Sequence, residues 1–306
     1  MSGKEPNLAV NVAGVTFKNP VFTSSGTFGF GEEYSEFIDL TRLGAITGKG
    51  ITMEPVYGNP TPRVTEVPSG MLNCIGLQGP GVEYFCRHDL PFMREQGCGV
   101  IVNVWGRTDE EYLETIDRLS DEEGIDILEV NISCPNVKSG GLAVGTDPKR
   151  IEEITRACRD HAKQPIMMKL TPNVTSISDA AKAAEAGGAD AISLINSLTG
   201  MKIDVEKQAF VLSNKTGGMS GPAIRPLAVR MVYQAAQAVR IPIVGMGGIM
   251  TASDALEFIL AGATAVSVGF ANFVNPYAAI EIIDGIRDYL VRHDIDDINE
   301  LIGAVK

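Results

Sequence analysis

The feature that most constrains this chain is alternation. Eight short β-rich runs, most of them apolar throughout, are separated by longer stretches with helical periodicity. The runs are Val21–Ser24, Ala45–Gly48, Val100–Trp105, Ile127–Ile132, Ile166–Leu170, Ala191–Ile195, Ile243–Met246 and Ala265–Val268. Unbroken apolar character suits parallel strands covered on both faces, whereas a half-solvated strand would alternate. Parallel neighbours need a crossover between them, and the helical stretches supply it. Thr108 before Asp109-Glu110-Glu111, and Asp147 before Pro148, read as helix starts. Ser176–Ala186 stops at Gly187-Gly188, and Thr251–Leu260 stops at Gly262. Eight β/α alternations in 306 residues predict an α/β fold, a (β/α)8 TIM barrel spanning 1–306 as a single domain. A doubly wound open sheet is the alternative that the pattern alone leaves open. Two connections, Pro55–Leu77 and Lys202–Ser220, are too long for simple βα loops and are expected to be active-site insertions at the C-terminal face.

The balance of charge narrows the partners. With 26 Lys and Arg against 38 Asp and Glu, the formal net charge is −12, which argues against nucleic acid or an anionic membrane. No apolar run approaches the ~18–20 residues of a membrane span, and Met1–Pro6 lacks the pattern of a secretory signal. The five cysteines (Cys74, Cys86, Cys98, Cys134 and Cys158) are odd in number, scattered and without a C-x-x-C pair. That predicts free thiols in a reducing compartment, with the cytoplasm as the default location. Three histidines and no HExxH give no reason to expect a metal.

In a barrel, chemistry collects where the strands end. The ends of these runs carry Ser24-Ser25, Lys49, Asn103, Asn131 with Cys134, Lys169, Asn196-Ser197, Gly247-Gly248 and Gly269. A lysine that ends a buried strand needs a partner, because an unpaired buried charge is costly. A neighbouring strand's acid would serve, but two such lysines together point to a ligand. The fourth run leads into Asn131-Ile132-Ser133-Cys134-Pro135-Asn136. Pro135 ends the strand, leaving one thiol between two amides. Such a group offers donors and acceptors to a flat polar ligand beside a possible acid or base. A small buried cysteine in a turn is the bland alternative.

The late glycines suggest phosphate. Gly217-Gly218-Met219-Ser220-Gly221 precedes a helix predicted over Ala223–Val239, and Gly245-Met246-Gly247-Gly248 and Gly269-Phe270 follow the last two runs. Barrels hold phosphates between these loops and a nearby helix N-terminus. Lysines at two strand ends could stabilise negative charge on a reduced isoalloxazine, and asparagines could bond its pyrimidine edge, so the residues themselves suggest FMN. A sugar-phosphate isomerase or aldolase with Lys169 as Schiff-base former competes, and a non-catalytic binding barrel is a distant third.

At this point the sequence resembles the class 1 dihydroorotate dehydrogenases, from Asn19-Pro20-Val21 to about Asn272. The motifs that carry the resemblance are Ser24-Ser25-Gly26, Gly48-Lys49-Gly50, Asn73-Cys74-Ile75-Gly76-Leu77-Gln78, the Asn131–Asn136 segment, Lys169-Leu170-Thr171-Pro172, Asn196-Ser197, Gly218-Met219-Ser220-Gly221 and Gly245-Met246-Gly247-Gly248-Ile249. The resemblance implies one FMN per chain, contacted by Ser25, Lys49, Gly50, Asn103, Asn131, Lys169, Ile195, Gly221, Gly247, Gly248, Gly269 and Phe270. It implies that dihydroorotate is held by Lys49, Asn73, Ile75, Gly76, Leu77, Asn131, Asn136, Asn196 and Ser197. Cys134 would be the general base, removing the C5 proton while hydride passes from C6 to the flavin.

Subclass is implied by finer matches. Val137-Lys138-Ser139-Gly140-Gly141 resembles class 1B, whose homodimer joins a partner subunit carrying FAD and a [2Fe–2S] cluster, a heterotetramer that passes electrons to NAD. This chain has no cysteine cluster for such a centre, so the cluster would belong to the partner. Class 1A, which reduces fumarate, and a related dihydropyrimidine dehydrogenase are the alternatives. Three positions depart from the family pattern. Gly79 stands where asparagine is common, Phe270 replaces a small hydroxyl residue, and Ser197 stands in place of threonine.

Overall fold

The computed structural model describes residues 5–133 and 144–306. Eight parallel strands close into a barrel. In chain order they are β1 (Val21–Thr23), β2 (Ala45–Thr47), β3 (Gly99–Val104), β4 (Ile127–Asn131), β5 (Ile166–Lys169), β6 (Ala191–Leu194), β7 (Ile243–Met246) and β8 (Ala265–Val268). Each pairs with its sequence neighbours, and β8 closes on β1 through Val266↔Val21 and Val268↔Thr23. Closure excludes the open doubly wound sheet and leaves no exposed edge. All eight predicted runs are strands. Six of them stop one residue earlier than the apolar run does, because Ser24, Gly48, Trp105, Ile132, Leu170 and Ile195 already belong to the turns that rise into the mouth.

The helices start where the sequence provides a cap. Thr108 accepts from the Glu111 N–H, Asp147 from Lys149 with Pro148 in the first turn, and Ser176 from Asp179. Thr251 and Asp254 form a reciprocal capping box at Ala252–Leu260. One prediction needs correction: in place of a helix over 223–239, a 3-10 turn at Pro222–Ile224 leads into an α-helix at Arg225–Ala236. Pro226 sits in the first turn of that helix, where its missing N–H costs nothing. The strands and helices enclose one large apolar core, in which Phe22, Ile46, Ile101 and Phe258 are wholly buried. Each such side chain contributes about 1.5–3 kcal/mol when taken out of water.

Two features were not legible in advance. Val10–Val12 and Val15–Phe17 form a hairpin whose turn, Ala13-Gly14, takes positive φ at both residues. It sets Phe17 against Phe22, ring centroids 4.7 Å apart, at the strands' N-terminal end. At the opposite end the two long connections build one structure. Val64–Val67 pairs with Gly70–Asn73 in the first, Gly70–Asn73 with Thr216–Ser220 of the second, and Thr216–Ser220 with Leu198–Met201, giving a four-stranded antiparallel sheet. A small satellite core of Leu72, Cys74 and Leu212 lies beneath it. The second insertion thus begins at Leu198, four residues before the predicted start.

Candidate active site

The centre of the mouth is a charged group buried between β3 and β6. Lys169, the last residue of β5, is only 4% exposed. Its Nζ lies 3.4 Å from Glu129 Oε2 and donates to Ser25 Oγ at 3.1 Å. Glu129, on β4, is itself wholly enclosed, and it accepts from Asn103 Nδ2 at 2.6 Å and from Ser193 Oγ at 2.7 Å. The strand register explains the meeting, since Asn103 is paired with Glu129, and Lys169 with Ser193. For Lys169, therefore, the protein supplies the acid that the sequence reading set second to a ligand. Glu129 was missed altogether. Its signal was present, since a lone acid within Ile127-Leu128-Glu129-Val130 cannot stay buried without a cationic or donor partner.

Lys49 behaves differently. It lies two residues past β2, partly buried, and among the described residues its side chain has no hydrogen bond or ion pair. Burial, and then the positive charge of Arg63, hold its ammonium below the usual lysine range. Gly50 beside it packs on Asn103: a Cβ there would stand 3.0 Å from Asn103 Oδ1 and from the Trp105 ring. The departure at Gly79 has a physical reason, because a Cβ at that position would stand 2.8 Å from the Gly50 carbonyl oxygen.

The amides line a second part of the mouth. Asn131 Oδ1 accepts from Asn196 Nδ2 at 3.3 Å and from the Ser133 N–H at 3.2 Å, while Tyr112 Oη donates to the Asn131 carbonyl at 2.8 Å. Asn196 Oδ1 holds the Ser197 N–H at 2.9 Å. Asn73, at the end of its insertion strand, donates to the Gly218 carbonyl at 3.4 Å, and a side chain at Gly218 would collide with Ser197 Oγ. Asn73, Ser197 and Gly218 therefore meet through the insertion sheet. Gly76 and Leu77 take positive φ of 78° and 55°, and the Ile75 carbonyl accepts from the Asn59 N–H at 2.9 Å. No hydrogen bond or ion pair among the described residues joins Ile75, Gly76, Leu77 or Phe270 to the Lys169 group.

The glycines form a cradle that a side chain would fill. Gly248, at φ 77°, would place a Cβ 2.8 Å from the Gly221 carbonyl oxygen, and Gly247, at φ 123°, would place one 3.3 Å from Ile195. These residues stand beside the start of helix Arg225–Ala236. Arg225 pairs with Asp254, whose other oxygen accepts the Met250 and Thr251 N–H groups at 2.9 Å and so braces the loop after β7. Gly269 closes the cradle near Ser24, whose hydroxyl lies 2.7 Å from that of Ser267. Close-approaching backbone beside a helix N-terminus suits a phosphate. Cys134 and Asn136, with the Val137–Gly141 segment, lie outside the described residues. Ser133 leads toward them, its Oγ donating to the Lys169 carbonyl at 3.2 Å.

A dihydroorotate dehydrogenase family model matches residues 7–290 of the chain. The chain belongs to the dihydroorotate dehydrogenase family. A relative from Lachnoclostridium phytofermentans named dihydroorotate dehydrogenase B (NAD(+)), catalytic subunit, is 62% identical over 98% of this chain and 100% of its own length. One of the same name from Alkaliphilus metalliredigens is 56% identical over 98% and 99%. Among solved structures, a dihydroorotate dehydrogenase from Eimeria tenella in complex with ferulenol superposes with a TM-score of 0.82, covering 99% of this chain and 90% of that one. At 22% identity, it speaks for the fold alone. Residues of this dihydroorotate dehydrogenase chain fit an FMN: the glycine cradle can take its phosphate, and Lys169, Asn103 and Ser25 can meet its ring.

Proposed function

We propose that this chain oxidises dihydroorotate to orotate, a step of pyrimidine biosynthesis, as the catalytic subunit of an NAD-linked dihydroorotate dehydrogenase. The observation that carries the reading is the coexistence, in one mouth, of a paired buried lysine, a lysine with no partner among the described residues and a glycine cradle beside a helix N-terminus. FMN, when bound, supplies the hydride acceptor, chemistry that no side chain provides. Lys49 offers its charge to the carboxylate of the substrate. Asn131 and Asn196, already bonded to each other, present their remaining amide groups to the pyrimidine edge, with Asn73 and Ser197 on the insertion side and Asn136 completing the set. Ile75, Gly76 and Leu77 contribute the rest of that wall, and Ile195, Gly50 and Phe270 border the cofactor.

Cys134 takes the C5 proton. A thiol of ordinary pKa ~8.5 serves once nearby positive charge favours the thiolate. Electrons leave through an FAD and [2Fe–2S] partner subunit joined to a homodimer of this chain, in the cytoplasm. That the relatives are named as NAD-linked catalytic subunits supports this over fumarate as acceptor. Among the described residues no helix is long and apolar enough to cross a membrane.

The test is a visible spectrum of the purified chain reconstituted with FMN. Bleaching by dihydroorotate, and NAD reduction on adding the partner, are the expected outcomes. A chain that takes up no FMN, or a flavin that dihydroorotate does not reduce, would overturn the reading. Cys134→Ser should keep the flavin and slow its reduction by roughly 10²–10⁴-fold, the range for loss of a general base. Unchanged stopped-flow kinetics would place the base elsewhere.

A further inference from the structure

We infer that Glu129 is a positioning residue for the flavin, acting through Lys169 and Asn103; this rests on the FMN reading above. Its carboxylate gathers donors from three other strands: Asn103 on β3 at 2.6 Å, Lys169 on β5 at 3.4 Å and Ser193 on β6 at 2.7 Å. Those bonds satisfy both of its oxygens from within the protein, and its side chain is 2% exposed. Glu129 therefore does not reach into the mouth itself. Its partners do. Lys169 carries three N–H donors and uses one on Ser25 and one on Glu129, leaving a third without a partner among the described residues. Asn103 spends one N–H on Glu129 and keeps its carbonyl oxygen beside Gly50.

Stability alone gives little reason for such an acid. A buried ion pair replaced by well-packed apolar residues is often neutral or stabilising. What an apolar residue could not do is hold two polar side chains from different strands in one fixed aim while cancelling the lysine's charge. With Glu129 in place the pair is neutral. Without it, the Lys169 charge stands uncompensated next to the ring and favours the reduced, more negative flavin. The carboxylate thus sets both the direction of the donors and the flavin's reduction potential.

The experiment is the midpoint potential of bound FMN in the reconstituted Glu129→Gln chain, read against a reference dye. Glutamine keeps the shape and removes the charge. The reduced-to-oxidised ratio at fixed poise should rise about tenfold, a shift of ~30 mV for a two-electron couple. Glu129→Asp, which keeps the charge, should return most of the way to the parent value. A parent-like potential in Glu129→Gln overturns the inference. If that variant does not fold or load FMN, Ser193→Ala gives the second reading. Losing one donor strengthens the carboxylate's field at Lys169 and should lower the same ratio two- to threefold; an unmoved ratio there is equally fatal. A parent chain that binds no FMN removes the functional reading and this one together. A parent that binds FMN, with variants of unchanged potential, removes this one alone.

Discussion

Two lysines stand at neighbouring regions of one barrel mouth and are built in opposite ways. Lys169 is enclosed, with Glu129 and Ser25 fixed around it. Lys49 is partly buried, feels the positive charge of Arg63, and has no anionic partner among the described residues. A charge with its counterion built in belongs to the scaffold of the site, where position has to be constant. A charge without one holds a deficit that an incoming anion relieves. In the function proposed above, the same residue type would serve a permanent cofactor at β5 and a passing substrate just past β2.

Truncating each lysine separates these roles. Lys169→Met leaves Glu129 buried without its cation, and such a loss typically costs 3–5 kcal/mol. Chemical denaturation should show a drop of about that size, and adding Glu129→Gln should recover most of it. If Lys169→Met is as stable as the parent, the pair is not part of the scaffold. Lys49→Met should leave the fold intact and weaken orotate binding by about 10–100-fold, from the 1.5–3 kcal/mol of a hydrogen bond to a charged group. Titration of the flavin spectrum with orotate measures it, and undiminished affinity would remove Lys49 from the substrate site.

The smallest effect is one of pH. The lowered folded pKa of Lys49 means that the unfolded chain binds more protons in the window between that value and the unfolded lysine value of ~10.4. The cost of its buried charge is therefore present in full below the lowered folded value and fades as pH rises through that window. Without ligand, Lys49→Met should melt slightly above the parent at pH 7, and the gap should close toward pH ~10.4. A Lys49→Met chain that melts below the parent at pH 7 would mean that Lys49 has a counterion after all.

How much of this could be read from the sequence follows from where each signal lies. The barrel strands were legible because parallel strands covered on both faces must be apolar, and Ile166-Met167-Met168 or Ala191-Ile192 can hardly be anything else. Helix starts were legible because capping is local: Thr108, Asp147, Ser176 and Thr251 each bond within three residues of themselves. Strand-end residues could be collected as a set, since topology alone brings those ends together. Which of them touch could not be collected, because the contacts depend on register. Glu129 was lost inside an otherwise apolar run, and only the Asn103 pairing across β3 and β4 shows what it does. The insertion sheet was hidden for a different reason. Val64-Thr65-Glu66-Val67 and Thr216-Gly217-Gly218-Met219-Ser220 carry neither an apolar run nor clean alternation; the first is a strand through a hairpin with Gly70–Asn73, and the second joins that hairpin from far along the chain.

That sheet has a consequence for the order in which the molecule comes into being. The contact between Asn73 and Gly218 spans 145 positions. Six of the eight barrel strands are synthesised before the second half of the wall exists. A chain emerging from the ribosome can thus gather much of its apolar core while its substrate mouth is still only half a structure. The insertion wall is whole only once Ser220 has been made, and β7, β8 and the cradle glycines Gly247, Gly248 and Gly269 follow it, so a chain interrupted in between carries a finished wall on a barrel that has not closed.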